Sequence, residues 1–448
     1  MNSSADPVRS GPAGPPSPPR LLTTDQLAGW ATDLADSDSA YAAAYPGPPG
    51  PGPVHTVYVP VPRFTEGIVA GWSAAAVAAI DTEPQEWLTV LAEHSGLDQA
   101  GVAELDRKTR AKLAAEPFED LRIDFEDGFR AHRGTPADDL DEDAHALRAA
   151  AAVEVMAGIG SLPRSWGLRI RSLGPLTRER GLRTLDLFLG RLLESHGRLP
   201  AGFVITLPKV TSLEQVVVFA AVLAAIESAA ELAPGSIPFE IQVETPQTVL
   251  GADGRVPVAA MIHAAGGRVS GLHFGTYDYT ASLGILGAYQ NLRHPVADFA
   301  KQLMMLAAAE TGVRVSDGSD NKVPVGSAEE IGRRWAAHAD GVRRALRSGI
   351  YQGWDLHPAQ LPTRFAATFA FFRLGWVEAA RRLADYHHSV TTGVLDEPAT
   401  AFALARHLAA ALSCGAVEAA ELLAVAGIDA DVVEQYLIRG AVPGGRST

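Results

Sequence analysis

Eight short β-prone segments alternate with Ala- and Leu-rich helical stretches along most of the chain, and this alternation predicts a (β/α)₈ barrel of the α/β class. Strands that alternate with helices pair in parallel through right-handed crossovers, and eight such units close a barrel. A doubly wound open sheet is the alternative fold. No G-x-G-x-x-G motif follows the first strand, which argues against that alternative.

The predicted elements follow from runs of apolar residues that are interrupted by polar or turn-forming residues. The predicted strands are 54–62, 121–129, 167–174, 202–210, 239–245, 269–279, 313–319 and 349–358. The predicted helical stretches between them are 66–80, 141–157, 178–195, 212–233, 256–265, 296–311 and 327–347, and 362–385 completes the barrel.

The chain is predicted to contain three regions. Residues 1–23 are rich in Pro, Gly and Ser, so we expect a disordered tail. Residues 24–385 form the barrel domain, preceded by a helical prelude at about 24–44 and a Pro/Gly-rich stretch at 45–53. Residues 386–448 form a helical C-terminal extension.

Composition excludes several classes of protein. The formal charge of −14 argues against binding to nucleic acid or an anionic membrane. The most apolar run, 216–233, is interrupted by Glu227 and Glu231 and reads as a buried helix, not a membrane span. Cys414 is the only cysteine, so no intrachain disulfide forms. With no apolar signal core at the N-terminus, we expect a cytoplasmic protein.

Charged residues gather where the predicted strands end, which is where a barrel places its catalytic groups. Clustered carboxylates raise one another's pKa values unless a cation lies between them. Two carboxylates with waters and substrate oxygens suit Mg²⁺. In strand order, the candidates are Asp124, Glu126 and Asp127, then Arg169 and Arg171, Lys209, Glu244, Asp278, Asp317, and finally Asp355 with His357.

Each candidate also has an ordinary structural role open to it. Asp124 could cap or pair locally, and Lys209 could neutralise a neighbouring acid. His357 could be a structural histidine of the core. Arg169 and Arg171 would face the same way on one strand, so only one of them need contact a ligand while the other pairs with an acid.

Five motifs, in chain order, resemble those of the citrate lyase β-subunit, malyl-CoA lyase and HpcH/HpaI-type aldolase family. They are IDFEDG, LRIRSLG, VETPQTVLG, HFGTYDYTASLG and GWDLHPAQL, spread over roughly residues 54–362. The resemblance implies a Mg²⁺-dependent carbon–carbon lyase of aldolase or Claisen type. It would act on a small 2-oxo or hydroxy acid through a metal-stabilised enolate, with use of a CoA thioester left open.

The resemblance also implies roles for individual residues. Glu244 and Asp278 would bind Mg²⁺, with Mn²⁺ as the alternative ion. Arg169 would bind the substrate carboxylate or enolate oxygen, while Glu126 and Asp127 would organise this arginine and the metal-bound waters. The candidate substrate-binding residues beside Arg169 are Lys209, Asp317 and His357.

The C-terminal extension carries one further match. TGVLDEPATAFALA, residues 392–405, resembles a segment that closes over a neighbouring subunit's site in malyl-CoA lyase-like members and brings an Asp. Asp396 is the matching residue and a candidate general base, although it could simply cap the helix that begins near Pro398. The resemblance and the apolar extension predict a homo-oligomer, either a trimer or a hexamer.

The chain also departs from the family pattern. The connection at about 63–120 is long, HRGTPADDLDEDAH extends the acidic loop after the second strand, and Arg63 offers an extra anion contact. These changes leave the substrate open, and CoA binding most of all. A malate-synthase-like condensing enzyme and a non-catalytic metabolite-binding barrel are the alternative functions.

Overall fold

The predicted barrel is confirmed. The structure is a computed structural model that describes residues 21–129, 135–388 and 397–437. Eight parallel strands pair in chain order, and the last strand closes the barrel on the first. The strands are β1 (His55–Pro60), β2 (Asp120–Asp124), β3 (Ser165–Arg169), β4 (Phe203–Leu207), β5 (Phe239–Val243), β6 (Val269–Phe274), β7 (Arg314–Ser319) and β8 (Gln352–Asp355).

Helices connect the strands and continue into the C-terminal extension. They are α1 (Thr24–Ala44), α2 (Ile68–Thr82), α3 (Pro84–His94), α4 (Gln99–Ala115), α5 (Pro136–Gly158), α6 (Arg178–His196), α7 (Leu213–Ala229), α8 (Pro246–Val249), α9 (Pro257–Ala264), α10 (Thr276–Ser282), α11 (Pro295–Ala308), α12 (Ala328–Arg347), α13 (Leu361–Arg373), α14 (Trp376–His387), α15 (Pro398–Cys414), α16 (Ala419–Ala426) and α17 (Ala430–Gln435). None of these described helices is long and apolar enough to cross a membrane.

Residues up to 46 form a unit of their own, and its described part contains α1. The predicted helical prelude therefore has the predicted bounds. A capping box starts α1, because the Thr23 hydroxyl accepts the Gln26 N–H while the Gln26 side chain accepts the Thr23 N–H. Most of the predicted N-terminal tail lies outside the described residues.

Two local expectations differ from the structure. The acidic sequence after β2 is not a long loop, because α5 already begins at Pro136. The Thr135 hydroxyl accepts the Asp138 N–H, Pro136 occupies the first turn, and acidic residues suit a helix N-terminus. The stretch 362–385 is divided into α13 and α14 at Gly375, whose φ of 81° is left-handed.

In β5, apolar side chains face the helices and polar side chains face the barrel axis. On β5, Phe239 packs against Phe219 of α7, with ring centroids 5.1 Å apart. Glu240 points the other way and accepts from Arg122 of β2, with Nη2 2.7 Å from Oε1. Although burial favours the neutral acid, Arg122 and His273 lower the pKa of Glu240 below its usual value. The axis therefore holds buried ion pairs beneath the mouth.

A buried ion pair ties α7 to the starts of β5 and β6. Both carboxylate oxygens of Glu227 lie 2.6 Å from the Arg268 guanidinium, and they also accept the N–H groups of Gly235 and Ile237. Burial alone would raise the pKa of Glu227, but these hydrogen bonds and the charge of Arg268 lower it to about 2. Since the glutamate stays ionised to low pH, it stabilises the folded state.

We expect Glu227→Gln to lower the free energy of unfolding by about 3 kcal/mol at pH 7, because it leaves the buried Arg268 charge without its partner. Urea unfolding followed by circular dichroism measures the loss. The native ion pair contributes fully above the usual glutamate pKa of 4.5 and loses its contribution as pH falls towards 2. The difference between wild type and variant should therefore shrink in acid.

Glu231→Gln is the matched control, because Glu231 lies close to Glu227 in the chain but is exposed. This control should unfold like the wild type. Equal stability of wild type and Glu227→Gln at pH 7 would show that the pair contributes nothing to the fold.

Candidate active site at the mouth of the barrel

Among the residues that the structure describes, five carboxylates and two cations meet at the carboxyl ends of the strands. If all seven groups are ionised, their net charge is −3. The cluster consists of Asp124 at the end of β2, Glu126 and Asp127 just after it, Arg169 at the end of β3, Lys209 after β4, Glu244 after β5 and Asp278 in α10 after β6.

Arg169 is held in place by Asp124. The arginine Nε lies 2.7 Å from Oδ1 and Nη2 lies 2.6 Å from Oδ2, which is a bidentate pair. The guanidinium lies over the ring of Tyr58, 4.8 Å from its centroid, and Nη1 donates to Gln242 Oε1 at 3.3 Å. Asp124 thus forms a local ion pair, which was one of the two roles open to it. The pair leaves one edge of the Arg169 guanidinium facing the cluster.

Lys209 lies at the centre of the acidic residues. Its Nζ is 2.7 Å from Glu126 Oε1, 3.0 Å from Asp127 Oδ1 and 3.3 Å from Asp278 Oδ2. Its φ of 50° is unusual for a non-glycine residue and lets its backbone N–H donate to Glu244 Oε1 at 2.6 Å. Burial lowers the pKa of Lys209, but these carboxylates raise it above its usual value. Lys209 therefore neutralises neighbouring acids.

Glu244 is completely buried at the deepest point of the cluster. One of its oxygens accepts from the Lys209 N–H and the other from the Gln242 side-chain amide. Gly275 lies so close to Glu244 that a Cβ on it would overlap the glutamate side chain. The absence of a side chain at Gly275 is what gives Glu244 room at this position.

The cluster shifts the pKa values of its acids. Burial raises the pKa of Glu244 to about 8; Glu126 and Asp278 add to the rise, and Lys209 opposes it. Burial also raises the pKa of Glu126 to about 7, with a further rise caused by Asp127. Asp127 is 54% exposed, and hydrogen bonding to Glu126 and Lys209 lowers its pKa. Near neutral pH the cluster therefore holds protons that a cation could displace.

The donor set fits a divalent metal ion. Asp127, Glu244 and Asp278 each offer a carboxylate oxygen, and these oxygens all lie within 4.8 Å of one another. Hard oxygen ligands suit Mg²⁺, and such an ion would offset much of the excess negative charge. The predicted ligands Glu244 and Asp278 are thus brought together, and Asp127 joins them as a third candidate ligand.

Asp317 does not reach the cluster. Its Oδ1 lies 3.1 Å from Lys301 Nζ on α11, so the side chain points from β7 towards the surrounding helices. It also accepts the N–H of Gly318. β7 turns this carboxylate away from the mouth, so the position of Asp317 gives no support to its predicted role in substrate binding.

Two further strand-end candidates form ion pairs with the outer layer. Arg171 lies beyond the end of β3 and donates through Nε to Glu142 Oε2 of α5 at 2.7 Å. Asp355 is buried and pairs with Arg364 of α13 at 3.1 Å and with His55 Nδ1 at 2.7 Å. Both residues hold helices or strands together beside the barrel instead of facing its mouth.

His357 caps the 3₁₀ turn Pro358–Gln360, since its Nδ1 accepts the Ala359 N–H at 3.2 Å. Burial lowers the pKa of His357, and the positive charge of Arg63 lowers it further. Both effects favour the neutral imidazole, and the capping hydrogen bond explains why His357 precedes a proline. Asp396, the predicted base, lies outside the described residues.

Three site residues escaped the sequence prediction: Gln242, Tyr58 and Gly275. Gln242 bridges Arg169 and Glu244, and Tyr58 supports the arginine from below. A signal for Gln242 exists, because FEIQVE alternates apolar residues with polar ones and so places every polar residue on one face. The sequence around Gly275 carries no comparable signal for its close approach to Glu244.

Comparisons with known proteins agree with this architecture. The curated L-malyl-CoA/β-methylmalyl-CoA lyase of Haloarcula marismortui is 31% identical over 184 residues, or 41% of this chain and 49% of that protein. The chain thus spans about half the length of this relative. A solved citrate lyase from Burkholderia xenovorans LB400 has a TM-score of 0.55 at 18% identity, covering 84% of this chain and 97% of the other.

The second comparison shows a shared fold, and the first agrees with the resemblance to malyl-CoA lyases indicated by the motifs. A family profile described as "Domain of unknown function (DUF6986)" matches residues 34–439. Because this span is most of the chain, the protein belongs to that family.

Proposed function

We propose that the protein is a metal-dependent carbon–carbon lyase of aldolase or Claisen type that acts on a small 2-oxo or hydroxy acid. The observation that carries this proposal is the meeting of Asp127, Glu244 and Asp278, contributed by the segments that follow three different strands, beside the guanidinium of Arg169. The partial match to a curated lyase supports it. Mg²⁺ is the proposed ion, with Mn²⁺ as the alternative.

The metal would be held by Glu244 and Asp278, with Asp127 as a third ligand. When bound, it would act as a Lewis acid towards a substrate oxygen that gains negative charge as the carbon–carbon bond breaks. Glu244 keeps its carboxylate at the floor of the site, where water does not reach it. The low local dielectric strengthens every charge interaction made there.

Arg169 would bind a carboxylate or the developing oxyanion of the substrate. Asp124 occupies Nε and Nη2, while Nη1 is directed towards the acids, 3.7 Å from Glu126 and 3.8 Å from Asp127. Because Asp124 and the Tyr58 ring fix the plane of the guanidinium, little side-chain entropy is lost when a substrate binds. Lys209 lies close enough to add a second positive charge.

Proton transfer requires a base that accepts the substrate hydroxyl proton during cleavage. We propose Asp396 of a neighbouring subunit for this role, on the basis of the motif resemblance. Glu126 is a second candidate, because its pKa of about 7 lets it exchange a proton near neutral pH. We further propose that the protein forms a trimer or a hexamer and is located in the cytoplasm. Its substrate acid would be used as a CoA thioester.

We expect Glu244→Gln and Asp278→Asn each to weaken Mg²⁺ binding at least tenfold, since each removes an anionic oxygen ligand. Isothermal titration calorimetry on the full chain measures the affinity, and circular dichroism confirms that each variant is folded. Glu329→Gln is the control, because Glu329 is an exposed acid on α12. Unchanged Mg²⁺ affinity in both site variants would refute the metal assignment.

Metal binding should release protons at neutral pH. With a pKa of about 8, Glu244 is mostly protonated at pH 7 without metal, so an incoming cation must displace that proton. We expect Mg²⁺ affinity to rise as pH increases from 6 to 8 and then to level off. Calorimetry in two buffers with different ionisation enthalpies counts the protons released. Identical heats in the two buffers, with an affinity independent of pH, would contradict this expectation.

The decisive test of function is a screen of 2-oxo and hydroxy acids, with and without acyl-CoA thioesters, in the presence of Mg²⁺ or Mn²⁺. Chromatography of the products follows cleavage and condensation together, so it also detects a malate-synthase-like reaction. We expect activity that EDTA abolishes and that Arg169→Lys lowers at least a hundredfold, since lysine lacks the planar pair of donors.

Mixed subunits test the proposed role of Asp396. Mixtures of Asp396→Ala and Arg169→Ala protein should regain part of the activity if one chain completes the site of another. Full activity of Asp396→Ala alone would remove this residue from the mechanism. Metal binding without turnover on any acid would favour the non-catalytic metabolite-binding barrel.

A further inference from the structure

A cavity lies at the opposite end of the barrel from the acidic cluster. Its volume is about 330 Å³, and it is lined by residues 48–54 before β1, by the chain leading into β7 and β8, and by α15 of the C-terminal extension. These segments precede their strands, whereas the acidic cluster follows the strand ends. We propose that this cavity is a binding site for a small carboxylate with an apolar chain.

The walls of the cavity are apolar and structurally supported. The Gly47 N–H donates to the Glu310 carbonyl at 2.9 Å, which fastens the start of the Pro-rich stretch to the chain before β7. Tyr351 and Phe372 stack with ring centroids 5.9 Å apart, and both line the cavity. Met305 contributes another apolar surface. The space is therefore bounded by elements that other contacts hold in place.

Two arginine side chains, those of Arg314 and Arg406, line this apolar space. Among the residues that the structure describes, the Arg314 side chain has no hydrogen bond or ion pair, and the only partner of the Arg406 side chain is the ring of Phe402, 5.7 Å away. Gly52 allows the Arg314 side chain to lie against the Pro-rich stretch, because a Cβ there would overlap it. Glu310 also lines the cavity, but it already has a partner. The lining thus has two positive charges available for a ligand anion.

This combination selects a ligand with a charged head and an apolar body. A guanidinium binds a carboxylate through two parallel hydrogen bonds, whereas apolar walls disfavour a compact, highly polar acid. A dry cavity of about 150 Å³ holds benzene, so the larger space here accommodates a chain of several carbons with its carboxylate. Octanoate is a suitable probe of this class.

The experiment titrates the full-length protein with octanoate, octanol and octylammonium by calorimetry, each below its micelle concentration. We expect octanoate to bind, octanol to bind at least tenfold more weakly and octylammonium not to bind. Arg314→Gln combined with Arg406→Gln should weaken octanoate binding at least tenfold. Arg333→Gln should have no effect, because Arg333 is an exposed arginine on α12 outside the cavity.

Two further variants identify the site. Ala309→Trp places a large ring at an exposed position of the cavity lining and should abolish octanoate binding without disturbing the core. Glu244→Gln should bind octanoate like the wild type, so failure of the metal proposal leaves this inference untouched. Absence of octanoate binding, or equal binding of octylammonium, would overturn it. So would binding that survives Ala309→Trp, or a dimer of this chain that forms through the cavity regardless of octanoate.

Discussion

The carboxylate of Glu244 is the constraint on which the mouth of the barrel depends. A buried carboxyl group is costly unless it is hydrogen-bonded, and here the donors are one backbone N–H and one side-chain amide. Three neighbours accommodate this one group. They are the left-handed backbone at Lys209, the missing side chain at Gly275 and the side-chain amide of Gln242. Among the described residues the acids still outnumber the cations around it, which suits the divalent ion proposed above.

The barrel was predictable because its signal is repeated eight times. Each strand is short, but alternating strands and helices leave few topologies open, and small errors in element ends do not change the outcome. The ends themselves were less certain, since a single proline or glycine decides them. The start of α5 at Pro136 and the break before α14 at Gly375 show this.

The direction of each side chain explains which of the predicted site residues reach the mouth of the barrel. In β5 the apolar residues face the helices, so Glu240, Gln242 and Glu244 face the axis. In β7 Asp317 has the same parity as Val313 and Val315, which places it with the helices beside Lys301. The same rule fails in β8. Trp354 lies inside against Tyr58, with rings 4.5 Å apart, and consequently Asp355 faces outwards. The sequence therefore predicts which face of a strand points to the barrel axis only where the axis-facing residues are polar.

The alternation of β5 also determines which changes in chain length the protein can tolerate. Inserting one residue into β5 would exchange its two faces, moving Glu244 into the helix layer and Val243 into the charged mouth. The connection between β1 and β2 contains the α-helices α2, α3 and α4. An insertion in the loops of this connection would not exchange two faces of a strand. Divergence among relatives should therefore accumulate as length variation in the connections, while the strands stay fixed in length.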